Sequence, residues 1–386
     1  MTYPDIQSVC FVGAGAMGCF NALLSGAAGL RCTLYDQSPQ AIESLQARLL
    51  GMGQYLGQQG FFTEGVLESA LPLIDGTTEL AGAVANVALV SESVPEQIDI
   101  KRTVLQELDA LCGPTTLITT NTSTFLPSEL ETALAHPQRF AALHSHLGAR
   151  VFDIVGGTRT DPQVLDRLET HVRRLGGFPL RLAKENPGYV INAILGPLLR
   201  ASLQLLMDRV ATPESIDRAW MQSQGVAIGP VGLMDLFGLD VIFDSWRRPN
   251  HRNPHLRPRI LEFLTPLIEG NRLGIKSGRG FYSYPDPAYA QPGFVSEVPQ
   301  DTHIENCLMG VFLSHALLLA AHEVADPLEI DAAWSLSFGA KQGPFAQCQE
   351  LDLLTLKKQQ EAAATMEILD ENVLEVTGNY LDTGLV

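Results

Sequence analysis

The stretch VCFVGAGAMG, residues 9–18, decides how the first half of this 386-residue chain folds. It joins a short apolar run, residues 9–12, to a helix-like run from about Met17 to Ala28 through the pattern GxGxxG. A buried strand that ends in this pattern and opens into a helix is typical of a dinucleotide-binding turn. We therefore expect a strand, a glycine turn and a helix whose N-terminal N–H groups face phosphates.

Each residue of the pattern has its own expected role. Gly13 permits the tight turn, Gly15 lets the backbone approach a pyrophosphate, and Gly18 lets the helix pack close to the strand. Ala16 and Met17 begin the helix, where unpaired N–H groups would bind the phosphates. The pattern alone is a weak signal, and the alternative is a purely structural turn. Its position between strand and helix makes the binding role specific.

An acidic residue, Asp36, ends the next predicted strand, residues 31–36. In such folds a carboxylate at this position accepts hydrogen bonds from ribose hydroxyls, and it would repel a 2′-phosphate. The following residue, Gln37, offers no cation to such a phosphate. The sequence therefore predicts NAD rather than NADP as the cofactor.

The alternation of strands and helices continues along the first half. Further strands are expected at residues 87–90, 116–119 and 140–143, and residues 39–59 have helical periodicity with a proline suited to the first turn. Strands that alternate with helices in this way form parallel sheets. We expect an α/β Rossmann domain with a doubly wound, mainly parallel sheet.

The second half has a mostly helical pattern and contains an internal repeat. Shifting the segment from Asn192 by 114 positions aligns it with a later segment without a gap. The aligned residues are Pro213, Ile216, Asp217, Ala219, Trp220, Gly225, Gly229 and Pro230, with Pro327, Ile330, Asp331, Ala333, Trp334, Gly339, Gly343 and Pro344. This predicts two copies of one helical module, with both tryptophans in the core. The expected domains are residues 1–185 (Rossmann), 186–298 (first module) and 299–386 (second, degenerate module).

Composition excludes several kinds of partner. The chain has 43 acidic and 26 basic residues and a formal net charge of −17, which argues against nucleic acids and anionic membranes. No uncharged apolar stretch looks long enough to span a bilayer, and the N-terminus does not read as a signal peptide. Six scattered cysteines without a CxxC pair favour a reduced, cytoplasmic setting over disulfides or a zinc site. No metal is expected.

An ordered series of motifs resembles the 3-hydroxyacyl-CoA dehydrogenase family over about the first 285 residues. The motifs are ESVPE at 92–96 followed by Lys101, NTST at 121–124, RFAALH at 139–144, NPGYVIN at 186–192, Gly229-Pro230, DLFGLD at 235–240 and the turn Gly278–Tyr282. The resemblance implies that Glu96, Lys101 and Asn121 lie at the cofactor. It also implies that Ser123, His144 and Asn192 face the substrate hydroxyl.

The residue types at these positions suit the oxidation of a secondary alcohol. Such a reaction needs a base for the hydroxyl proton, and the pKa of imidazole, roughly 6.5, lies near neutrality. His144 is the expected base, while Ser123 and Asn192 can hold the substrate oxygen by hydrogen bonds. Each has a structural alternative. In particular, Asn306 repeats Asn192 in register where no cofactor domain precedes it.

The sequence departs from the family directly after His144. The family continues with two aromatics, an asparagine and a proline, whereas this chain reads HSHLGAR at 144–150. Twelve positions after its histidine the family has a glutamate, and this chain has Gly156. If three loop residues are deleted, Asp153 takes the glutamate's place, so we expect it to fix the tautomer of His144. His146 remains a rival base.

The resemblance implies a 3-hydroxyacyl thioester of coenzyme A as substrate, in fatty-acid metabolism. The altered loop leaves open a small polar hydroxy acid, an acyl group on a carrier protein, or a catalytically degenerate NAD-binding sensor or scaffold. Family members with one helical module pair it with a second subunit. Two modules in one chain suggest an internal pseudo-dimer in a monomer, with a homodimer as the alternative.

Overall fold

A computed structural model describes residues 3–63, 65–247 and 254–383 of the chain. The chain forms two compact units. The first contains residues 1–190 together with 323–325, and the second contains 191–322 and 326–386. Most of both expected copies of the helical module therefore belongs to the second unit, although residues 186–190 and 323–325 belong to the first.

The first unit is built on an eight-stranded sheet of order β3-β2-β1-β4-β5-β6-β7-β8. The strands are β1 Ser8–Val12, β2 Arg31–Tyr35, β3 Ile74–Thr77, β4 Leu89–Glu92, β5 Leu117–Thr120, β6 Phe140–Ser145, β7 Val151–Gly156 and β8 Phe178–Arg181. All neighbouring pairs are parallel except β6 and β7. This is the doubly wound, mainly parallel sheet that the sequence predicts, and β3 is an additional strand at its edge.

Eight helices accompany this sheet among the described residues. They are α1 Ala16–Ala27, α2 Pro39–Glu43, α3 Leu45–Gln58, α4 Val66–Ala70, α5 Leu80–Val84, α6 Ile98–Leu111, α7 Pro127–Leu130 and α8 Pro162–Arg174. The helical segment expected over residues 39–59 forms two consecutive helices, α2 and α3, which are separated at Ser44. The Ser44 hydroxyl donates to the carbonyl of Gln40 at 2.8 Å, a local bond that competes with helix continuation.

The antiparallel pair β6–β7 determines which side chains meet at the end of the sheet. Its register sets His144 directly opposite Asp153 and Ser145 opposite Phe152. Directly opposed residues of an antiparallel pair point to the same face, with Cβ atoms about 5 Å apart. A short connection, residues 146–150, joins the two strands, so the register brings the expected base and its expected carboxylate together.

The described part of the second unit is mainly helical, with two isolated β-bridges between residues 274 and 283. The first module contains α9 Ile191–Met207, α10 Pro213–Gln224, α11 Pro230–Phe237, α12 Leu239–Arg247 and α13 Leu256–Glu269. The second contains α14 Thr302–Ala321, α15 Pro327–Phe338, α16 Pro344–Glu350, α17 Leu353–Thr365 and α18 Glu371–Asp382. Among its described residues each module thus has five α-helices in the same order, and α10, α11 and α12 begin 114 positions before α15, α16 and α17.

The same capping arrangement occurs in both modules. The Asp217 carboxylate accepts the N–H groups of Val231 and Gly232 at the start of α11, at 2.7 and 2.8 Å. Asp331 accepts two N–H groups at the start of α16 in the same way, at 2.7 and 2.8 Å. The position of Gly229, directly before α11, admits only glycine, because a Cβ there would collide with Asp217. The internal repeat is therefore a structural duplication.

Helix α14 is the central helix of the second unit. It packs against its repeat mate α9 and also against α10, α16, α17 and α18. Phe312 of α14 contacts Trp220 and Trp334, with ring centroids 5.3 and 4.8 Å away, so the duplicated tryptophans are core residues as predicted. By length and composition alone α14 could cross a membrane, which the sequence analysis did not anticipate. However, 78% of its apolar window is buried, as in the core helix of a globular protein.

Candidate active site

The glycine turn after β1 has the geometry that the pattern GxGxxG predicts. Gly13 has φ +104°, and a Cβ there would lie 2.8 Å from the carbonyl oxygen of Ser93. A Cβ on Gly18 would collide with the carbonyl oxygen of Gly13, so α1 can pack closely only with glycine there. A Cβ on Gly15, by contrast, would meet no atom of the described residues within 4 Å, apart from its chain neighbours and its own helix. Protein packing does not require that glycine, which is consistent with close approach of a ligand.

Asp36 connects the end of β2 to this turn. One carboxylate oxygen accepts the Ala14 N–H and the other accepts the Ser38 N–H, both at 2.9 Å. Arg48 of α3 donates to the carbonyl oxygen of Ala14 and holds the same turn from another side. A carboxylate oxygen has two lone pairs, so Asp36 retains acceptor capacity for a ribose hydroxyl. The exposed Gln37 supplies no positive charge. These residues fit NAD.

A buried ion cluster follows β4. The ammonium of Lys101 lies 2.9 and 3.0 Å from the two carboxylate oxygens of Glu92 and 3.2 Å from Glu96. The side chain of Lys101 is only 1% exposed and that of Glu92 is fully buried. Buried charges persist when they are paired in this way. The cluster thus fixes Glu96 at the carboxyl end of the sheet.

Glu96 holds the loop that contains Ser123. Its carboxylate accepts the hydroxyl of Thr122 and the backbone N–H groups of Ser123 and Thr124, the latter two at 3.2 and 3.0 Å. Burial alone would raise the pKa of Glu96, but Lys101 and the hydrogen bond from Thr122 hold it below its usual range. Glu96 is therefore an anion that orients the loop after β5.

Asn121 links the ends of β5 and β6. Its side-chain oxygen accepts the backbone N–H of Ser145 at 2.9 Å and the Ser145 hydroxyl at 3.0 Å. Ser145 follows His144 in the same strand, so this bond fixes the backbone beside the expected base. The ends of β4, β5 and β6 thereby meet at the carboxyl edge of the sheet, which is where ligands bind in open α/β folds.

His144 and Asp153 form the dyad that the sequence predicts. His144 Nδ1 lies 2.8 Å from Asp153 Oδ2. The side chain of Asp153 is fully buried and that of His144 is 8% exposed. The ring of Tyr189 packs against the imidazole, with centroids 5.5 Å apart. The Tyr189 hydroxyl donates to the carbonyl oxygen of Phe125 at 3.3 Å. The His144 ring is therefore held by a carboxylate and by an aromatic neighbour.

His146 uses the same carboxylate oxygen. Its Nε2 lies 2.9 Å from Asp153 Oδ2, and its ring meets that of His144 edge-on at a centroid distance of 4.5 Å. One oxygen of Asp153 is therefore hydrogen-bonded to two imidazole rings. His146 is the more exposed of the two, at 14% against 8% for His144.

The charges at this site favour a neutral imidazole and an ionised carboxylate. Burial, reinforced by His146, holds the pKa of His144 below its usual range, although Asp153 pulls it upward. Burial alone would raise the pKa of Asp153, but the hydrogen bonds from His144 and His146 lower it. Glu96 also acts on His144 through its charge. The arrangement suits a base that is unprotonated near neutrality.

The structure brings most of the expected residues to one edge of the first unit. Ser123 is half-buried in the loop held by Glu96. Asn192 lies in the first turn of α9, in the second unit, and its role at the substrate stays a prediction. Sequence reasoning missed Glu92 and Tyr189. Lys101 is buried, and a buried lysine needs a buried counter-charge. That requirement could have pointed to Glu92.

Two family profiles match consecutive parts of the chain. Residues 8–186 match the family described as 3-hydroxyacyl-CoA dehydrogenase, NAD binding domain. Residues 188–284 match the family described as 3-hydroxyacyl-CoA dehydrogenase, C-terminal domain. Together they cover more than half of the chain.

Individual relatives agree with these profiles. The chain is 30% identical to the 3-hydroxybutyryl-CoA dehydrogenase of Mycobacterium tuberculosis over 72% of its own length and 99% of that protein. It is 29% identical to the 5-formyl-3-hydroxy-2-methylpyridine 4-carboxylate 5-dehydrogenase of Mesorhizobium japonicum, over 72% and 91%. The structure of an Escherichia coli 3-hydroxybutyryl-CoA dehydrogenase superimposes with a TM-score of 0.78 at 21% identity, covering 98% and 99%. That likeness extends the shared fold through the second module.

Proposed function

Because the chain belongs to the 3-hydroxyacyl-CoA dehydrogenase family, we propose that it transfers a hydride between NAD and a 3-hydroxyacyl thioester with His144 as general base. The observation that supports this most is the buried His144–Asp153 pair at 2.8 Å. It lies at the carboxyl edge of the same sheet whose strand β1 ends in a glycine turn suited to a dinucleotide.

The chain is an NAD-dependent oxidoreductase, and the residues of the β1–α1 turn would hold the cofactor. Gly15, Ala16, Met17 and the start of α1 would face the pyrophosphate, while Asp36 would accept the ribose hydroxyls. NAD supplies the hydride acceptor, and the protein supplies position and electrostatics.

His144 would take the hydroxyl proton of the substrate on Nε2. The carboxylate of Asp153 accepts a hydrogen bond from Nδ1, so the single proton of the neutral imidazole lies on Nδ1 and the lone pair on Nε2 is free. When Nε2 accepts the substrate proton, the ring becomes an imidazolium. Asp153 stabilises that cation, since the two charges are then 2.8 Å apart in a buried setting.

Ser123 and Asn192 would hold the substrate oxygen as it becomes a carbonyl. Glu96 and Lys101 act at the cofactor side indirectly, because Lys101 is buried against Glu92 and Glu96 is committed to the loop of Ser123. Asn121 positions the strand that carries His144. These residues together would set the orientation of the reacting groups, which is where much of the rate enhancement of such enzymes arises.

The substrate assignment is tested by initial rates of NADH formation with purified protein. We expect turnover with a 3-hydroxybutyryl-CoA substrate, NADH oxidation with acetoacetyl-CoA, and at least tenfold lower kcat/KM with NADP. The matched comparison is free 3-hydroxybutyrate, which has the same reacting carbon without the thioester. A higher kcat/KM for the free acid would contradict the thioester assignment and leave the role of His144 untouched.

The departure from the family after His144 supports a second candidate, the oxidation of a hydroxyl on a substrate without coenzyme A. The Mesorhizobium japonicum relative is named for a pyridine carboxylate, at an identity close to that of the thioester dehydrogenases. Turnover of a hydroxymethylpyridine carboxylate above that of any acyl-CoA would favour this candidate. NAD binding without turnover of any of these compounds would favour a sensor.

A further inference from the structure

Three potential metal ligands converge beyond the end of β6. His144 Nδ1 and His146 Nε2 approach the same oxygen of Asp153, at 2.8 and 2.9 Å, and the three ligand atoms lie within 4.8 Å of one another. Two imidazole nitrogens and one carboxylate oxygen are the ligand types that zinc prefers. The sequence predicts no metal here, because the convergence of these side chains depends on the pairing of β6 with β7.

A second observation points to a ligand at the same place. Asp153 Oδ1 is buried and has no hydrogen-bond partner within the described part of the chain. An ionised oxygen that is buried without a partner is costly, so both histidines leave half of this carboxylate unsatisfied. A cation held by both oxygens of Asp153 together with the two rings would satisfy it.

We propose that His144, His146 and Asp153 bind a divalent transition-metal ion of the zinc class, and that the bound ion inhibits the enzyme. The inhibitory part rests on the proposed role of His144, whereas the binding part does not. A tetrahedral zinc site with bonds of about 2.1 Å separates its ligand atoms by about 3.4 Å. The two nitrogen–oxygen separations would have to widen by about half an ångström, and the two nitrogens, which lie within 4.8 Å of each other, would have to settle near the same value. Water or the substrate oxygen would complete the coordination.

Inhibition follows from the tautomer of His144. With Asp153 as its partner, the neutral ring carries its proton on Nδ1 and keeps the lone pair on Nε2. A metal ion on Nδ1 requires the lone pair there, so the proton must lie on Nε2 instead. The nitrogen that should accept the substrate proton is then already protonated. Binding of the ion and removal of the hydroxyl proton are therefore mutually exclusive.

Charge and access both suit a cation. Asp153 is an anion in contact with both imidazoles, and the carboxylate of Glu96 acts on the ring of His144. The side chains of His146 and His144 are 14% and 8% exposed, so an ion can reach the cluster from the solvent. All six cysteines are buried, which limits competition from thiols. Magnesium, which prefers an octahedral shell of oxygen ligands, should bind poorly.

Binding is tested by equilibrium dialysis of the full chain against zinc chloride in the presence of a chromophoric chelator. The informative variant is His146→Gln, because glutamine can still donate a hydrogen bond to Asp153 but is a poor zinc ligand. The matched control is His136→Gln, which removes an exposed histidine that pairs with a single carboxylate, Asp109, at 3.3 Å. We expect wild type and the control to bind one more equivalent of zinc than His146→Gln.

Inhibition is measured on the same proteins, with each rate normalised to that protein without metal. We expect zinc to inhibit wild type and His136→Gln reversibly, with recovery on adding EDTA, and the inhibition constant of His146→Gln to be about tenfold higher or more. Magnesium chloride at equal concentration should have no effect.

Equal zinc binding by wild type and His146→Gln would overturn the site. Binding at this site without loss of turnover would overturn the inhibition. If His144→Gln retained full activity, the role of His144 as base would be wrong, and dialysis would still decide whether the metal site exists. The two proposals therefore fail by different measurements.

Discussion

Two fully buried aspartates, one in each unit, have pKa values that are shifted in opposite directions. Asp153 in the first unit accepts two imidazole nitrogens on one oxygen, and its pKa lies below the usual range. Asp217 in the second unit accepts two backbone N–H groups and the hydroxyl of Tyr282, at 2.9 Å for the hydroxyl. Burial raises the pKa of Asp217 to about 7, with the charge of Asp235 acting in the same direction.

The difference shows that burial alone does not decide what a carboxylate does. The imidazole partners of Asp153 can become cations. The ionised carboxylate therefore stabilises the imidazole ring when that ring is protonated. The partners of Asp217 are neutral dipoles, so that carboxylate serves as a helix cap and a cross-link to Tyr282. We therefore expect changes at Asp153 to affect catalysis and changes at Asp217 to affect stability.

The largest expected effect is that of Asp153→Asn on turnover. The amide cannot stabilise an imidazolium and can impose the wrong tautomer on His144, so kcat should fall by about 10³-fold. The unfolding midpoint in urea should change little, because the amide has nearly the same volume. A loss of stability with kcat preserved would make Asp153 equivalent to Asp217 and break the comparison.

The second effect is that of Asp217→Ala on the second unit. Removing the carboxylate leaves two N–H groups and the Tyr282 hydroxyl without their partner, which should lower the free energy of unfolding by about 3 kcal/mol. Chemical denaturation followed by tryptophan fluorescence reports it, since Trp220 lies on the same helix. Affinity for NAD, which depends on the first unit, should be unchanged. A weaker affinity at full stability would contradict this assignment.

The repeat provides a smaller, internally matched test at Asp331. Asp331 caps α16 with the same two bonds, has no counterpart of Tyr282 among its hydrogen bonds to described residues, and is only half-buried. Asp331→Ala should therefore cost about 1 kcal/mol, less than Asp217→Ala. Equal losses in the two variants would mean that the hydroxyl of Tyr282 contributes nothing.

The smallest effect is a pH dependence of stability. The pKa of Asp217 is raised from 3.8 to about 7 in the folded chain, so the folded state binds the proton more tightly. Its contribution is fully present below about pH 4 and is lost as the pH rises towards 7. The urea midpoint of wild type minus that of Asp217→Asn should therefore decrease from pH 5 to pH 7.5, because only wild type loses this contribution. A difference that stays constant over this range would show that the carboxylate is already ionised in the folded chain at pH 5, because the unfolded carboxyl is ionised there too.

Much of the fold could be predicted because its strands are apolar runs. The expected strands at 9–12, 31–36, 116–119 and 140–143 fall within one or two residues of β1, β2, β5 and β6. Strand β3 gave no such signal, because it lies at the sheet edge with only Ile74 buried and Asp75 and Gly76 exposed. The repeat was visible because a cap and a glycine recur at fixed spacing.

Parts of the site could be predicted where a residue type has few possible roles at its position in the fold. The glycine turn and Asp36 follow from the spacing of the motif. The pairing of His144 with Asp153 follows from the family resemblance. The shared use of one carboxylate oxygen by two histidines was not predictable, since it depends on how the chain turns after β6. The position of Asn192 at the substrate stays a prediction.

The central claim is that the neutral ring of His144 removes the substrate proton. The direct measurement is kcat of His144→Gln beside His146→Gln, with NAD affinity determined for each protein by fluorescence titration. We predict a loss of about 10⁴-fold for His144→Gln, about tenfold or less for His146→Gln, and NAD affinity unchanged in both. An undiminished kcat in His144→Gln, or the larger loss in His146→Gln, would contradict the account.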